Sequence, residues 1–369
     1  VRETNCGTCH GLVHDGAEAL TLSLGDGRNW TTEKTGQVFS PQRIARSALN
    51  LRGKDQLDLA WDVHAERLVS CGDCHYSQGR PERLAGEAQP AQVEPAGGVR
   101  RRCQSCHALE GSHQWLPEPE RHFNALACEA CHVPALQMAA QQAIDASVED
   151  PEGRPVVSYR GLDRGDPTNL SHAYVSGYRP LLQVGQNERG ELQVLPYNLV
   201  ARWYWAEGPA PDGAPVSTAL TRRAWLGKDG YHPGVVEAFD SDRDGALSNT
   251  ELRLDNYAKV VLIKEQLRDL GVANPTLRGE LRAYHIHHNV RHGDRVNREC
   301  ARCHPKTPQD LAAFELAPYV PGRVLPELVV DPTSIRLDGE FRIGADGRLW
   351  LQLEHGPAAT YQALQATGD

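Results

Sequence analysis

The chain has 369 residues and a formal net charge of −9. That length allows two or three domains with cores of their own, and the acidity argues against a nucleic-acid partner. No stretch approaches the roughly 18 apolar residues of a membrane span.

In chain order, the first feature is Cys6-Cys9-His10, followed by His14. His64 precedes a second Cys-x-x-Cys-His, Cys71-Cys74-His75. Residues 77–98 are rich in Pro, Gly, Ala, Gln and Glu and read as an irregular surface loop. A basic run, Arg100, Arg101 and Arg102, leads into the third motif, Cys103-Cys106-His107. His113 and His122 then lie ahead of the fourth, Cys128-Cys131-His132. Residues 137–146 are expected to be helical, and 150–233 to form short strands and loops around His172. Within them, 181–184 and 192–195 should pair across the Asn187–Gly190 turn. Helical periodicity returns over 249–270, with Tyr257, Val260, Val261, Leu267 and Leu270 near one face. His285, His287, His288 and His292 crowd the approach to the fifth motif, Cys300-Cys303-His304. If that approach is a helix, His285 and His288 share a face. Two Asp-Gly turn signals, at 338–339 and 346–347, predict a small β-meander at the C-terminus.

The five motifs use all ten cysteines. Cys-x-x-Cys-His is the attachment signature of a c-type haem, with two thioether links and the histidine as proximal iron ligand. Structural zinc also uses Cys-x-x-Cys pairs but does not ask for histidine directly after the second cysteine. Five covalent haems c are therefore expected, and their macrocycles would supply apolar bulk to a chain with five Phe and one Met. Covalent attachment takes place outside the bacterial inner membrane, so a periplasmic or extracellular location is expected, with a leader removed or not included.

Sixteen histidines less the five proximal ones leave eleven for the sixth positions. Met138 could serve at most one iron, so bis-histidine ligation is expected. His64, His113, His122, His172 and His288 are the leading distal candidates. His14, His285, His287 and His292 stand in reserve, and His232 and His355 are expected to be structural.

Residues 240–251 match a calcium-binding EF-hand loop. Asp240, Asp242 and Asp244 occupy positions 1, 3 and 5, and Gly245 makes the turn at 6. Ala246 offers its carbonyl at 7, Ser248 sits at 9, and Glu251 closes the loop at 12. One Ca2+ is expected, as a structural clamp that orients the following helix toward the fifth motif.

His113-Gln114-Trp115-Leu116-Pro117, His122 and Ala127-Cys128-Glu129-Ala130-Cys131-His132-Val133-Pro134 resemble the octahaem tetrathionate reductase group. That group is related to the multihaem nitrite reductases and hydroxylamine oxidoreductases. The resemblance spans about residues 60–135 and the approach to the fifth motif. It implies a mostly helical surround, with haems packed in alternating parallel and perpendicular pairs. There are five motifs rather than eight, no Cys-x-x-Cys-Lys variant marks a catalytic haem, and the EF-hand insertion is additional. No catalytic residue is carried over.

The expected fold is mainly α with extensive irregular loops. It divides into haem attachments 1–4 over 1–146 and a loop and short-strand insertion over 147–235. The EF-hand loop, helix and fifth attachment follow over 236–310, and a small β-meander over 311–369. The expected function is electron transfer through mostly bis-histidine, low-spin haems. The chain would be a carrier, or a subunit of a conductive filament or redox complex, with other redox proteins or copies of itself as partners. The alternative is a reductase of a small nitrogen or sulfur oxyanion with one open haem site, for which Arg100–Arg102 would be the cationic lining.

Overall fold

The computed structural model describes residues 62–66, 74–77, 98–109, 111–136, 140–162, 177–187, 189–208, 213–307, 310–330 and 335–367. It also describes four N-terminal strand segments, 13–14, 20–24, 28–32 and 36–37. Cys6, Cys9, His10, Cys71, Met138 and His172 lie outside the described residues, and for His14 and His75 the backbone alone is described.

The architecture is not mainly α. Among the described residues it is organised by a seven-stranded mixed sheet. Its strands are β1 (Ala140–Asp145), β2 (Val156–Arg160), β3 (Leu181–Gln186), β4 (Leu192–Glu207), β5 (Ala214–Pro215), β6 (Pro275–His285) and, after β7, β8 (Glu327–Leu328). The order is β8-β6-β4-β1-β2, and β3 and β5 also pair with β4. β4 runs antiparallel to β6 and parallel to β1.

The 16-residue β4 forms because its sequence is aromatic and β-branched, and because both faces are covered. Tyr197, Leu199, Ala201, Trp203 and Trp205 leave on one side by the period-2 rule and are buried at 2% exposure or less. The indole N–H groups of Trp203 and Trp205 donate to the carbonyls of Val324 (2.8 Å) and Ser147 (3.0 Å). Pro196, which lacks an N–H, falls where β4 changes partner, since Pro196 faces Leu182 of β3 and Tyr197 faces His285 of β6.

Residues 137–146 were expected to be helical, but 140–145 are β1. Alanine and glutamine are good helix formers, but propensity is a small term per residue, and here pairing with both β4 and β2 outweighs it. The β3–β4 hairpin forms across Asn187–Gly190 as expected, with Val184 opposite Val194 and Gly190 at φ 77°.

The C-terminal strands β7 (Phe314–Ala317), β9 (Gly339–Ile343) and β10 (Leu349–Leu353) form a small antiparallel sheet in the order β7-β10-β9, so the expected meander is not formed: the last strand inserts between the other two. Asp346-Gly347 makes the β9–β10 turn, whereas Asp338-Gly339 opens β9 rather than turning.

Six helices carry labels here. They are α1 (Pro119–Ala125), α2 (Cys128–His132), α3 (Thr218–Trp225), α4 (Pro233–Phe239), α5 (Tyr257–Asp269) and the unanticipated α6 (Pro357–Thr367). α5 starts later than expected, at an Asn256 cap that accepts from Lys259 N (3.0 Å). It buries Ile263 and Leu267, while Tyr257 is 84% exposed. Among the described residues, no helix is long and apolar enough to cross a membrane.

A buried carboxyl closes β1. Asp145 is 3% exposed and accepts from Ser147 N (3.0 Å), the Ser147 hydroxyl and the Tyr319 hydroxyl. Burial raises its pKa to about 7, against the opposing effects of Ser147 and Arg253. A carboxyl whose folded pKa is raised contributes stability below its unfolded value near 3.8, and loses it as the pH climbs through about 7. The contribution is on the order of 4 kcal/mol. Thermal melts of the wild type should fall between pH 5 and 7.5, and Asp145→Asn should flatten that slope. Parallel curves for the two proteins would refute the assignment.

Candidate haem and calcium sites

The three fully described Cys-x-x-Cys-His motifs share one local turn. In the third and fifth, short 3-10 turns at Cys103–Ser105 and Cys300–Arg302 bring the histidine N–H to the first cysteine's carbonyl, at 2.8 Å in both. The fourth is the single helical turn α2. A turn of this kind presents two sulfurs and an imidazole on one side.

The motifs are also brought together. His75 of the second pairs with Arg100, and Arg101 N donates to Cys74 O (2.8 Å) just before the third. The Cys128 thiol is held below its ordinary pKa by a hydrogen bond from Cys103, so the third and fourth motifs touch. The Cys131 thiol is pushed up by burial and feels both Arg302 and Cys300 of the fifth motif. Burial and the nearby Cys131 raise the Cys303 thiol to about 11. The backbone stitches the same junction, with Arg291 N to His132 O and Asn297 N to Cys131 O, each 2.7 Å.

The sheet supports this cluster. Ala127 N donates to Val194 O (3.0 Å), and Ala130 packs with Leu182, Val184 and Val194 of the β3–β4 hairpin. Val133 and Leu136 pack with Ile286, just beyond β6.

Each histidine of these three motifs faces a candidate distal histidine from another segment. His64 stands opposite His107 with ring centroids 6.1 Å apart, His113 opposite His132 at 6.1 Å, and His122 opposite His304 at 6.2 Å. Two imidazoles bound to one iron at about 2 Å each hold their centroids roughly 6 Å apart. The residues therefore fit a haem iron between each pair.

Four of these six rings also engage Nδ1, which leaves Nε2 to face the partner. His132 Nδ1 is 2.8 Å from Arg291 O, His113 Nδ1 is 3.1 Å from Leu109 O, and His122 Nδ1 is 3.2 Å from Glu118 O. His64 Nδ1 is 3.3 Å from Asp62 Oδ1. Such outer bonds set the tautomer and ring orientation of a metal-binding histidine.

Asp62 was not anticipated from the sequence. It is 4% exposed and accepts from His64 N and Val290 N, both at 2.8 Å. Burial pushes its carboxyl up, but the His64 and Val290 hydrogen bonds outweigh that and leave it below the ordinary value. The available signal was an acidic residue two positions before a candidate ligand.

The other histidines divide clearly. His285 ends strand β6, so the shared helical face expected for His285 and His288 does not exist. His285 and His287 lie together beside Glu129. His288 is half-buried in the same segment, and His292 is exposed. His232 bonds Arg223 O through Nε2 (2.9 Å), and His355 bonds Asp338 (2.7 Å), both structural contacts.

The first half of the 240–251 loop has the conformation that its motif needs. Gly245 N donates to Asp240 (2.9 Å), Asp244 N to Asp242 (3.1 Å) and Ala246 N to Asp244 (2.7 Å). Arg243 and Gly245 take left-handed φ values of 62° and 84°. One oxygen from each of the three aspartates lies within 4.8 Å of the others, a donor set suited to Ca2+.

The Glu251 carboxylate instead accepts from Ser241 N (2.8 Å) and Ser248 N (3.0 Å), and from both serine hydroxyls. These donors hold its pKa down to about 2. α4 leads directly into the loop, but the helix beyond it begins at Tyr257, six residues past Glu251 rather than at the loop's end.

No family model matches the chain, and no curated protein matches it. Among solved structures it is similar to an octahaem cytochrome c from Shewanella oneidensis, at 15% identity and a TM-score of 0.36. The match covers 67% of this chain and 58% of that one, less than two thirds of its length.

Proposed function

We propose that the chain is an electron-transfer protein carrying five covalently attached haems c, most held between two histidines, and that it works in the periplasm or outside the cell. The observation that carries this reading is the set of three imidazole pairs, His64–His107, His113–His132 and His122–His304, each at iron-spanning separation. The haem supplies one-electron chemistry when bound. The chain's own groups do the rest. Cysteines would tether the cofactor, and the motif histidine and a histidine from a different segment would supply its two nitrogen ligands. The hydrogen bonds to Nδ1 hold each ring in register. Two nitrogen ligands favour a lower potential than a His/Met pair.

His10 and His75 complete the count of five, with His172 and His288 as their proposed distal partners. The contacts among the second to fifth motifs support a continuous relay rather than isolated centres. Ca2+ at Asp240, Asp242, Asp244, Ala246, Ser248 and Glu251 is proposed as a structural ion.

The electronic spectrum of the ferric holoprotein tests the reading. Low-spin haems throughout are expected, unchanged by cyanide or nitrite and, after reduction to the ferrous state, by carbon monoxide. A high-spin component that binds these ligands would instead indicate a reductase of a small oxyanion. Negative-stain imaging then separates a soluble carrier from a filament made of copies of this chain.

A further inference from the structure

We propose that Glu129, His285 and His287 form a site for a divalent transition cation of the zinc type, distinct from the paired histidines and from the acidic loop. One ligand atom from each residue lies within 4.8 Å of the other two. Glu129 Oε1 is 3.0 Å from His287 Nδ1. The two imidazole centroids are 3.8 Å apart at an interplanar angle of 59°, so the rings touch without stacking in parallel. All three residues are half-buried.

This grouping has a local cause. His285 ends β6 and His287 follows two residues later, with the two rings in contact. Ile286 between them is buried, 1% exposed against Val133 and Leu136. The backbone there is held, with His285 in register with Tyr197 and Ile286 N donating to Pro196 O (3.0 Å). Glu129 arrives from α2, which Val194 pins through Ala127. The donors are thus preorganised by elements that fold for other reasons.

Two imidazole nitrogens and one carboxylate oxygen suit Zn2+, which binds them at roughly 2 Å and keeps a fourth tetrahedral position for water. Ca2+ prefers an all-oxygen shell and is a poor match. The bound cation would lie one residue from Cys128 and would join the end of β6 to the fourth motif.

The test is calorimetric titration of Zn2+ into the calcium-saturated holoprotein after transition metals have been stripped. One equivalent is expected to bind. Glu129→Gln should weaken binding at least tenfold, and the His285→Ala/His287→Ala double variant should abolish it, with the haem spectrum of both unchanged. Absence of stoichiometric uptake would overturn the proposal, as would equal affinity in the variants. Uptake lost instead in His355→Ala would assign the ion to the exposed Asp338, Glu354 and His355 group. A low-spin haem lost in the double variant would make these histidines axial ligands, which also overturns it.

Discussion

Replacing His113 with alanine is expected to convert one haem of the set to a high-spin, ligand-accepting form. His113 comes from the segment between the third and fourth motifs, and its ring faces His132 across 6.1 Å. It is oriented by Leu109 O through Nδ1 and by an edge contact with Phe123 at 5.2 Å. Once reduced to the ferrous state, the haem tethered by Cys128 and Cys131 should bind one equivalent of carbon monoxide in the variant and none in the wild type. His113→Met should keep that haem low-spin and raise its potential by a part of the roughly 0.8 V range that axial ligands command. His355→Ala removes an exposed hydrogen-bonding histidine and should leave the spectrum alone. If His113→Ala gave an unaltered spectrum, the imidazole pairs would not be axial pairs.

The second large effect is expected from calcium. Chelation should lower the melting temperature while leaving the haem potentials nearly unchanged, because the loop braces α4 and α5 rather than touching a motif. Lys259 at the start of α5 is 8% exposed, pairs with Asp255 (3.1 Å), reaches Glu251 O (3.4 Å) and sits over the Phe239 ring of α4. At Ca2+ a hundredfold above its Kd the ion adds about 2.7 kcal/mol. Asp240→Asn with Asp242→Asn should abolish the calcium dependence.

Glu251→Gln should destabilise the protein even without calcium, since the carboxylate already accepts from the backbone and hydroxyls of Ser241 and Ser248. Its pKa is held below the ordinary 4.5, so its contribution is present above that value and is lost as the pH falls toward about 2. A melting temperature indifferent to both chelation and the double aspartate variant would exclude a structural calcium ion.

The candidate ligands were more legible than the fold. Each of the three fully described Cys-x-x-Cys-His motifs is a contiguous run whose turn is made by its own backbone bonds, as at Cys103–His107 and Cys300–His304. The aspartates and Gly245 of the acidic loop are likewise local, and so is the Asn187–Gly190 hairpin. β1 was misread because alanine and glutamine carry a helical preference that pairing with Ala201–Trp203 overrides. β6 has no local signature although its burial alternates, because its partner β4 lies some seventy residues away and covers it only after folding.

What the sequence by itself determined was the inventory: ten cysteines in five Cys-x-x-Cys-His motifs, eleven further histidines, and one loop with EF-hand spacing. These are short-range patterns, and their chemistry follows from residue type and spacing. What only the tertiary structure decided was the pairing. His64 meets His107, His122 meets His304, and Glu129 meets His285 and His287. Each junction joins segments that no local rule relates. They are held by a sheet whose register comes from long-range hydrogen bonding and from burial of Tyr197, Trp203 and Trp205.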